Sequence, residues 1–162
     1  MPVVSDPKTS DLDLDLYDQL GHLIRRAQQI SVSMFRETTH MDITPTQYAV
    51  LRMLQEAPGI DQLTLAGLVA LDKSTTADMA VRLEAKGWIQ REVLPRGRRR
   101  LVLTVEGEAV LTSMAPSIYE LRDKMLAKLS PEENVEFSRL LKKFVHLNND
   151  QSRAPLQVLK IA

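Results

Sequence analysis

"DQLTLAGLVALDKSTTADMAVRLEAKGWIQREVLPRGRRRLVLT", residues 61–104, is the part of the chain that decides the fold. Its first apolar-periodic run is short, and a second run begins after Asp72, which can cap a helix, and ends at Gly87. Two short apolar segments follow, separated by a turn that contains Pro95 and Gly97. Two helices joined by a brief turn and followed by such a hairpin predict a helix-turn-helix with a two-stranded wing.

The hairpin turn is unusually basic, because residues 96–100 include four arginines: Arg96, Arg98, Arg99 and Arg100. The whole chain has a formal net charge of +0, yet residues 73–100 hold eight basic and three acidic residues. An arginine run by itself is more often a solvated surface than a binding site. Behind a helix-turn-helix, the same run predicts a surface that meets an anionic partner such as nucleic acid.

Composition excludes several classes of protein. The chain has 162 residues, enough for one domain with an appendage, and no cysteine, which removes disulfides, thiol catalysis and thiolate metal sites. Its three histidines, His22, His40 and His146, lack the spacing of metal ligands. No nucleotide-binding glycine loop or catalytic triad pattern is present, so we expect no cofactor and no enzyme activity. Without an apolar run of ~18 residues or a signal peptide, a cytoplasmic protein with no membrane span is expected.

Three apolar stripes at helical spacing lie outside this unit, at 16–34, 111–125 and 137–147. They exceed what a winged domain can cover, so they predict helices that pack against a second copy of the chain. Pro116 should bend the second of these helices, because it removes a backbone donor. The expected fold class is mainly α with a small β-wing. The predicted divisions are a flexible tail (1–10), an N-terminal dimerisation helix (11–43), the winged helix-turn-helix (44–104), C-terminal dimerisation helices (105–150) and an extension (151–162).

Several helix starts are marked in the sequence. "TPTQ" at 44–47 and "SPEE" at 130–133 each offer a capping hydroxyl, a proline in the first turn, and a side chain that can reach back to the cap. Asp61 is placed to cap the first helix of the helix-turn-helix. These signals predict helices that begin just after residues 44, 61, 72 and 130.

The second helix of the helix-turn-helix has two distinct faces. Its core-facing spacing selects Thr76, Met79, Ala80 and Leu83. The remaining positions predict an outward face that contains Ser74, Thr75, Asp78 and Arg82. Small hydroxyl side chains near the start of such a helix allow close approach and bond phosphates or base edges, which suits DNA.

The strings "LTLAGLVALDKSTTADMAVRLEAKGWIQRE" and "LVLTVEGEAVL", with the arginine-rich turn between them, resemble the multiple-antibiotic-resistance regulator (MarR) family of bacterial transcription factors. The resemblance extends over about residues 16–147, and the motif is highly specific when taken as a whole. It implies a winged helix-turn-helix on each subunit of an obligate dimer. Family members typically repress a nearby operon, and many release DNA when a small, often aromatic, anion binds.

The resemblance also implies which residues bind DNA. Ser74, Thr75 and Arg82 match recognition-helix positions, with Lys73 and Asp78 beside them, and Arg98 and Arg99 match the wing arginines, with Arg96 and Arg100 beside them. A wing arginine can enter the minor groove, where the negative potential is strongest. Two positions depart from the family pattern. Gly97 stands where the family usually has an aspartate, and Asp78 stands where a basic residue is common and could accept from a cytosine amino group.

The implied effector pocket of the family lies between the dimerisation helices and the winged domain. His22, Arg26 and Tyr48 are the predicted lining residues, because a guanidinium fits a carboxylate and a phenol fits an aromatic acid. The alternative for Arg26 is pairing with surface acids, and the two interpretations are about equally supported.

These features favour a ligand-responsive, dimeric repressor that a small aromatic carboxylate releases from a pseudo-palindromic operator. Its expected partners are double-stranded DNA, a second copy of the chain and a small aromatic acid. The alternative is a winged-helix module that binds another protein and has no small-molecule effector. Salt dependence separates the two, because binding through several phosphates weakens steeply with salt and a protein interface need not.

Overall fold

The computed structural model describes residues 15–158. The predicted tail, 1–10, lies outside these residues, as do 11–14 of the first predicted helix and the last four residues of the extension. Within them the elements follow the order α1 (Leu20–Thr39), α2 (Pro45–Glu56), α3 (Gln62–Leu68), α4 (Lys73–Ala85), β1 (Ile89–Val93), β2 (Arg99–Leu103), α5 (Val105–Leu126) and α6 (Pro131–Leu147). The predicted fold class, mainly α with a small β-wing, is confirmed.

The predicted helix caps are present. Thr44 Oγ1 accepts the Gln47 N–H at 3.1 Å, while the Thr44 N–H donates to Gln47 Oε1 at 3.0 Å. Ser130 and Glu133 form the same reciprocal pair at the start of α6. Each pair satisfies two backbone donors that the first helical turn leaves free. The aspartates before α3 and α4 also cap their helices.

The start of α1 differs from the start of its apolar stripe. The apolar stripe of the dimerisation helix predicted within 11–43 begins at Leu16, and α1 begins at Leu20. Asp15 accepts the Tyr17 N–H and closes a single 3-10 turn, after which Gln19 is extended with φ −69° and ψ 126°. By contrast, α4 ends as expected before Gly87, whose φ is +75°. Pro116 lies inside α5, which continues from Val105 to Leu126 as one helix.

The core lies inside the winged unit. Leu51, Leu54, Leu65, Leu83 and Leu101 bring α2, α3, α4 and β2 together and are buried. Phe35 from α1 and Leu111 and Met114 from α5 extend this core toward the long helices. Burial of each leucine side chain contributes about 1.5–3 kcal/mol to the stability of the fold relative to an exposed position. The core therefore holds the helix-turn-helix, the wing and the first half of α5 as one unit.

The wing is an antiparallel hairpin in which β1 pairs with β2 from Ile89 opposite Leu103 to Val93 opposite Arg99. At its tip the Leu94 N–H donates to the Arg98 carbonyl at 2.7 Å. Arg96 adopts the left-handed region with φ +66°, and Gly97 follows with φ +73°. Because a left-handed conformation is costly for a residue with a side chain, glycine is well suited to the second of these positions.

Helices α1 and α6 carry apolar faces that the subunit itself leaves uncovered, and α6 has no buried residue. The exposed side chains are Leu20, Leu23, Ile24 and Ile30 on α1, with Phe137, Leu140, Leu141, Phe144 and Leu147 on α6. Contiguous apolar surface of this extent is characteristic of a face that packs against another protein. Among residues 15–158, no helix is long and apolar enough to cross a membrane, and no group of acidic and histidine side chains is placed to hold a metal ion.

Candidate nucleic-acid interface

The start of α4 is organised around the carboxylate of Asp72. Its Oδ1 accepts the Thr75 N–H and the Ser74 hydroxyl, both at 2.8 Å, and its Oδ2 accepts the Thr75 hydroxyl at 2.7 Å. These bonds, led by those from Thr75, lower the pKa of Asp72 to about 2. The carboxylate is therefore ionised at neutral pH, and it holds the side chains of Ser74 and Thr75 in place in the first turn of α4.

The outward face of α4 is exposed as predicted, while Thr76, Ala80 and Leu83 are buried and Met79 is partly buried. The exposed positions are Lys73, Ser74, Thr75, Asp78 and Arg82. Within the described part of the chain, the side chains of Lys73, Asp78 and Arg82 take part in no hydrogen bond or ion pair. Two cations and one carboxylate on this face are thus available to a ligand.

Three of the four wing arginines are exposed and face the start of α3. Their cleft has a volume of about 270 Å³ and is lined by Asp61, Gln62, Leu63, Arg96, Gly97, Arg98 and Arg99. Hydrogen bonds from Thr64 lower the pKa of Asp61 below its ordinary value, and the positive charge of Arg98 contributes. An ionised carboxylate at the N-cap of α3 therefore lies in the same cleft as the wing arginines, although no aspartate precedes them in the wing itself.

Arg100 differs from the other three. Its Nε and Nη2 donate to Glu92 Oε2 at 2.9 and 2.5 Å, across the pair that the two residues form between β1 and β2. Its side chain also lies over Gly59, where an added Cβ would come 3.2 Å from Arg100 Cδ. These contacts hold the Arg100 side chain between β1 and the segment before α3, so its predicted contact with DNA stays a prediction that competes with a structural role.

An ion pair that the sequence did not reveal links α4 to the wing. Arg91 Nε donates to Glu84 Oε2 at 2.7 Å, and the Arg91 N–H donates to Glu84 Oε1 at 3.1 Å. These bonds from Arg91 lower the pKa of Glu84. The two residues lie on different elements, α4 and β1, and the conformation of the turn between these elements brings their side chains together. The pair restrains the angle between the two proposed DNA-binding elements.

The three predicted effector residues are not brought together within one subunit. The Tyr48 ring packs against Phe35, with 6.1 Å between ring centroids. His22 and Arg26 lie nearer the start of α1, and Arg26 is exposed without an ion pair to any of residues 15–158. Phe35 lies nine positions after Arg26, about two and a half helical turns, so the two side chains leave α1 on opposite sides. Tyr48 therefore occupies a different region from the other two.

A buried hydroxyl lies on the Phe35 side of α1. Thr38, three residues after Phe35, is 4% exposed. Among the described residues its Oγ1 has no hydrogen-bond partner. A buried hydroxyl without a partner is costly, so Thr38 departs from the usual pairing of buried polar groups. Sequence reasoning missed this group, since a threonine inside a helix has no distinctive pattern.

Comparison with known proteins places this geometry among transcription regulators. The pattern of the MarR family matches residues 43–101. The transcriptional regulator HosA of Escherichia coli O111:H- is 36% identical over 107 residues, which cover 65% of this chain and 79% of HosA. The structure of Bordetella bronchiseptica BpsR, whose DNA binding is regulated by 6-hydroxynicotinic acid, has a TM-score of 0.76 and 27% identity over 82% of this chain and 98% of BpsR. A mutant of Escherichia coli MarR in complex with operator DNA has a TM-score of 0.73 and 27% identity over 82% of this chain and 99% of that one.

Proposed function

This chain belongs to the MarR family and is a transcription regulator rather than an enzyme, and we propose that it is a homodimeric repressor released from a pseudo-palindromic operator by a small aromatic carboxylate. The observation that carries this proposal is the pairing of two exposed basic elements on one rigid unit. Lys73 and Arg82, which form no ion pair with any of residues 15–158, lie on α4, and Arg96, Arg98 and Arg99 lie on the wing. The ion pair between α4 and β1 holds the two elements at a fixed angle.

In this proposal α4 enters the major groove, where its outward side chains meet base edges. The wing follows the backbone, and one arginine enters the adjacent minor groove, whose negative potential attracts a guanidinium. A second subunit would pack on the uncovered apolar faces of α1 and α6. Two recognition helices about 34–36 Å apart would then contact one face of the DNA, which requires a pseudo-palindromic site.

Salt dependence tests the DNA-binding proposal. We expect the affinity for a selected operator to fall by ~10³ or more between 50 and 200 mM salt, because several phosphate contacts release counterions. The measurement is a fluorescence-anisotropy titration at four salt concentrations, after selection of the operator from a random DNA pool. An affinity that does not change with salt, or a failure to select any DNA, would favour the alternative of a protein-interaction module.

Substitutions in α4 and in the wing should have different signatures. Arg82→Ala should change which bases are preferred, because that side chain lies on the face proposed to read the major groove. Arg98→Ala should weaken binding more evenly across sequences and lower the salt slope by about 1. The control is Arg52→Ala, which removes an arginine that pairs with Glu56 on α2. The readout is a repeated selection experiment together with the salt series, and a wild-type result for Arg98→Ala would remove the wing from the interface.

The effector proposal rests on the relatives and on two features of the chain. BpsR responds to an aromatic carboxylate, and the chain has no cysteine for a redox signal. Arg26 is an exposed cation near the start of α1, on the side away from Tyr48. A carboxylate bound there would favour a dimer with displaced recognition helices, provided that it binds that state more tightly.

Linkage gives the expected result. A 100-fold difference in affinity between the two states corresponds to about 2.7 kcal/mol, and operator DNA should weaken effector binding by the same factor. Arg26→Ala should blunt release by benzoates, hydroxycinnamates or pyridine carboxylates while leaving DNA affinity without ligand nearly unchanged. Tyr48→Phe, which keeps the packing on Phe35 and removes the hydroxyl, tests the second region separately. A response in Arg26→Ala equal to that of the wild type would remove Arg26 from the pocket.

A further inference from the structure

Residues 152–158, here called the C-terminal strap, run from the end of α6 to the helix-turn-helix. Asn149, in the 3-10 turn Asn149–Gln151 after α6, holds the strap through Leu156. Its Nδ2 donates to the Leu156 carbonyl at 3.0 Å, and its Oδ1 accepts the Leu156 N–H at 2.8 Å. One residue later the Gln157 N–H donates to the Gly67 carbonyl at 2.8 Å. Three hydrogen bonds thus connect the end of α6 to α3.

The contact on α3 depends on the absence of a side chain at residue 67. A Cβ at Gly67 would lie 2.6 Å from Gln157 Oε1 and 3.1 Å from Gln157 Cγ. Gly67 is in the last turn of α3, and its carbonyl accepts the Gln157 N–H at 2.8 Å in addition to a longer bond of 3.4 Å from the Ala70 N–H. Glycine lowers the stability of a short helix, and at this position it makes the room that the strap occupies.

Apart from α5, which leads from the wing to α6, no helix or strand of the winged unit packs extensively on α6 among the described residues. A cleft of about 840 Å³, lined by Ala70, Phe144 and Leu156 among others, separates the end of α6 from the turn between α3 and α4. α3 packs directly against α4. Whatever holds α3 relative to α6 therefore also holds the recognition helix relative to α6.

We propose that the C-terminal strap is a positioning element, which fixes the recognition helix relative to α6 and so sets the distance between the two recognition helices of the dimer. This inference rests on the proposed function, in which α6 belongs to the dimer interface. A dimer with restrained helices binds half-sites at one separation. A dimer with released helices should accept neighbouring separations as well.

The test compares half-site spacings. Operators selected by the full-length wild type are altered by one inserted base pair at their centre, and the ratio of the two dissociation constants is measured. For the wild type we expect the altered operator to bind about tenfold more weakly or worse, because the DNA or the protein must deform. In Gly67→Ala the new Cβ would lie 2.6–3.1 Å from atoms of the Gln157 side chain, so that side chain must leave its place on α3, and we expect this ratio to fall at least about threefold.

Two further variants separate positioning from general stability. Gly67→Ala combined with Gln157→Ala removes the clashing side chain and keeps the backbone hydrogen bond, so the wild-type ratio should return. Asn149→Ala releases the strap at its α6 end without touching α3, and it should lower the ratio as Gly67→Ala does. The midpoint temperature of thermal unfolding of Gly67→Ala should not fall below that of the wild type, because alanine favours the helix.

The outcomes are distinct. If Gly67→Ala and Asn149→Ala both gave the wild-type ratio of the two dissociation constants, the positioning role would be overturned. The same holds if the variants bound both operators more weakly but with an unchanged ratio. If the wild type selected no DNA, the proposed function would fail and this inference with it. If the wild type distinguished the two spacings and the variants distinguished them to the same extent, this inference alone would be overturned.

Discussion

Phe137→Glu should convert the dimer into folded monomers and weaken operator binding by about 10²–10⁴-fold. Phe137 lies in the uncovered apolar face of α6 and is 50% exposed in the single subunit, so the subunit itself should tolerate a glutamate there. In a dimer the same carboxylate would be buried against apolar side chains, which is strongly unfavourable. Loss of the second recognition helix removes the gain from bivalent binding, which is of this size.

The matched control is Lys142→Glu. It places the same side chain on the same helix, five residues further along and about 140° around the axis, on the polar side. Sedimentation at micromolar concentration should show a dimer for the control and a monomer for Phe137→Glu. A dimer in both would show that α6 contributes no essential part of the interface, and the domain division at residues 105–150 would need revision.

Gly107→Ala should destabilise the protein by about 3 kcal/mol, at the upper end of the range for overpacking. A Cβ at Gly107 would lie 2.1 Å from the Trp88 carbonyl oxygen and 3.0 Å from its carbon. Both are backbone atoms, so no side-chain rotation can relieve the clash. That carbonyl also accepts the Thr104 N–H at 3.1 Å, and Thr104 caps α5. Either the first turn of α5 or the base of the wing must move.

Gly21→Ala is the control for Gly107→Ala, because a Cβ at Gly21 would meet nothing within 4 Å. In the exposed helix α1 the change should stabilise by about 1 kcal/mol or less. Urea denaturation at a fixed protein concentration measures both variants, since dimerisation makes apparent stability concentration-dependent. An unfolding free energy for Gly107→Ala within about 0.5 kcal/mol of the wild type, the usual scatter of harmless substitutions, would mean that the contact between α5 and the wing is not tight.

Local signals in the sequence predicted the helix-turn-helix well. Thr44, Asp61, Asp72 and Ser130 each satisfy donors within three residues, so the helix starts follow from chemistry that is local in sequence. The outward face of α4 follows from helical periodicity alone. The start of α1 does not follow from the apolar stripe, because the stripe includes Leu16, whereas the chain there forms one 3-10 turn and then extends.

Features that depend on register or on distant contacts were not predictable in the same way. The pairing of Arg100 with Glu92 follows from a strand register that the turn after Leu94 sets. Tyr48 packs against Phe35, on the opposite side of α1 from Arg26. The contact between Tyr48 and Phe35 joins two helices, so the sequence pattern alone does not predict it. The strap on Gly67 involves a segment without periodicity, and its docking depends on a missing side chain on another helix.

The bonds to Asp72 have a consequence for how α4 could read DNA. The hydroxyls of Ser74 and Thr75 each give their single proton to that carboxylate, which leaves only lone pairs on the outward side of each oxygen. Phosphate oxygens also carry only lone pairs, so the two would repel unless a bond to Asp72 were broken. The exocyclic amino groups of adenine and cytosine present N–H donors in the major groove. If α4 enters that groove as proposed, Ser74 and Thr75 can accept hydrogen bonds from base amino groups but have no proton to donate to the DNA backbone, because both hydroxyls already donate to Asp72.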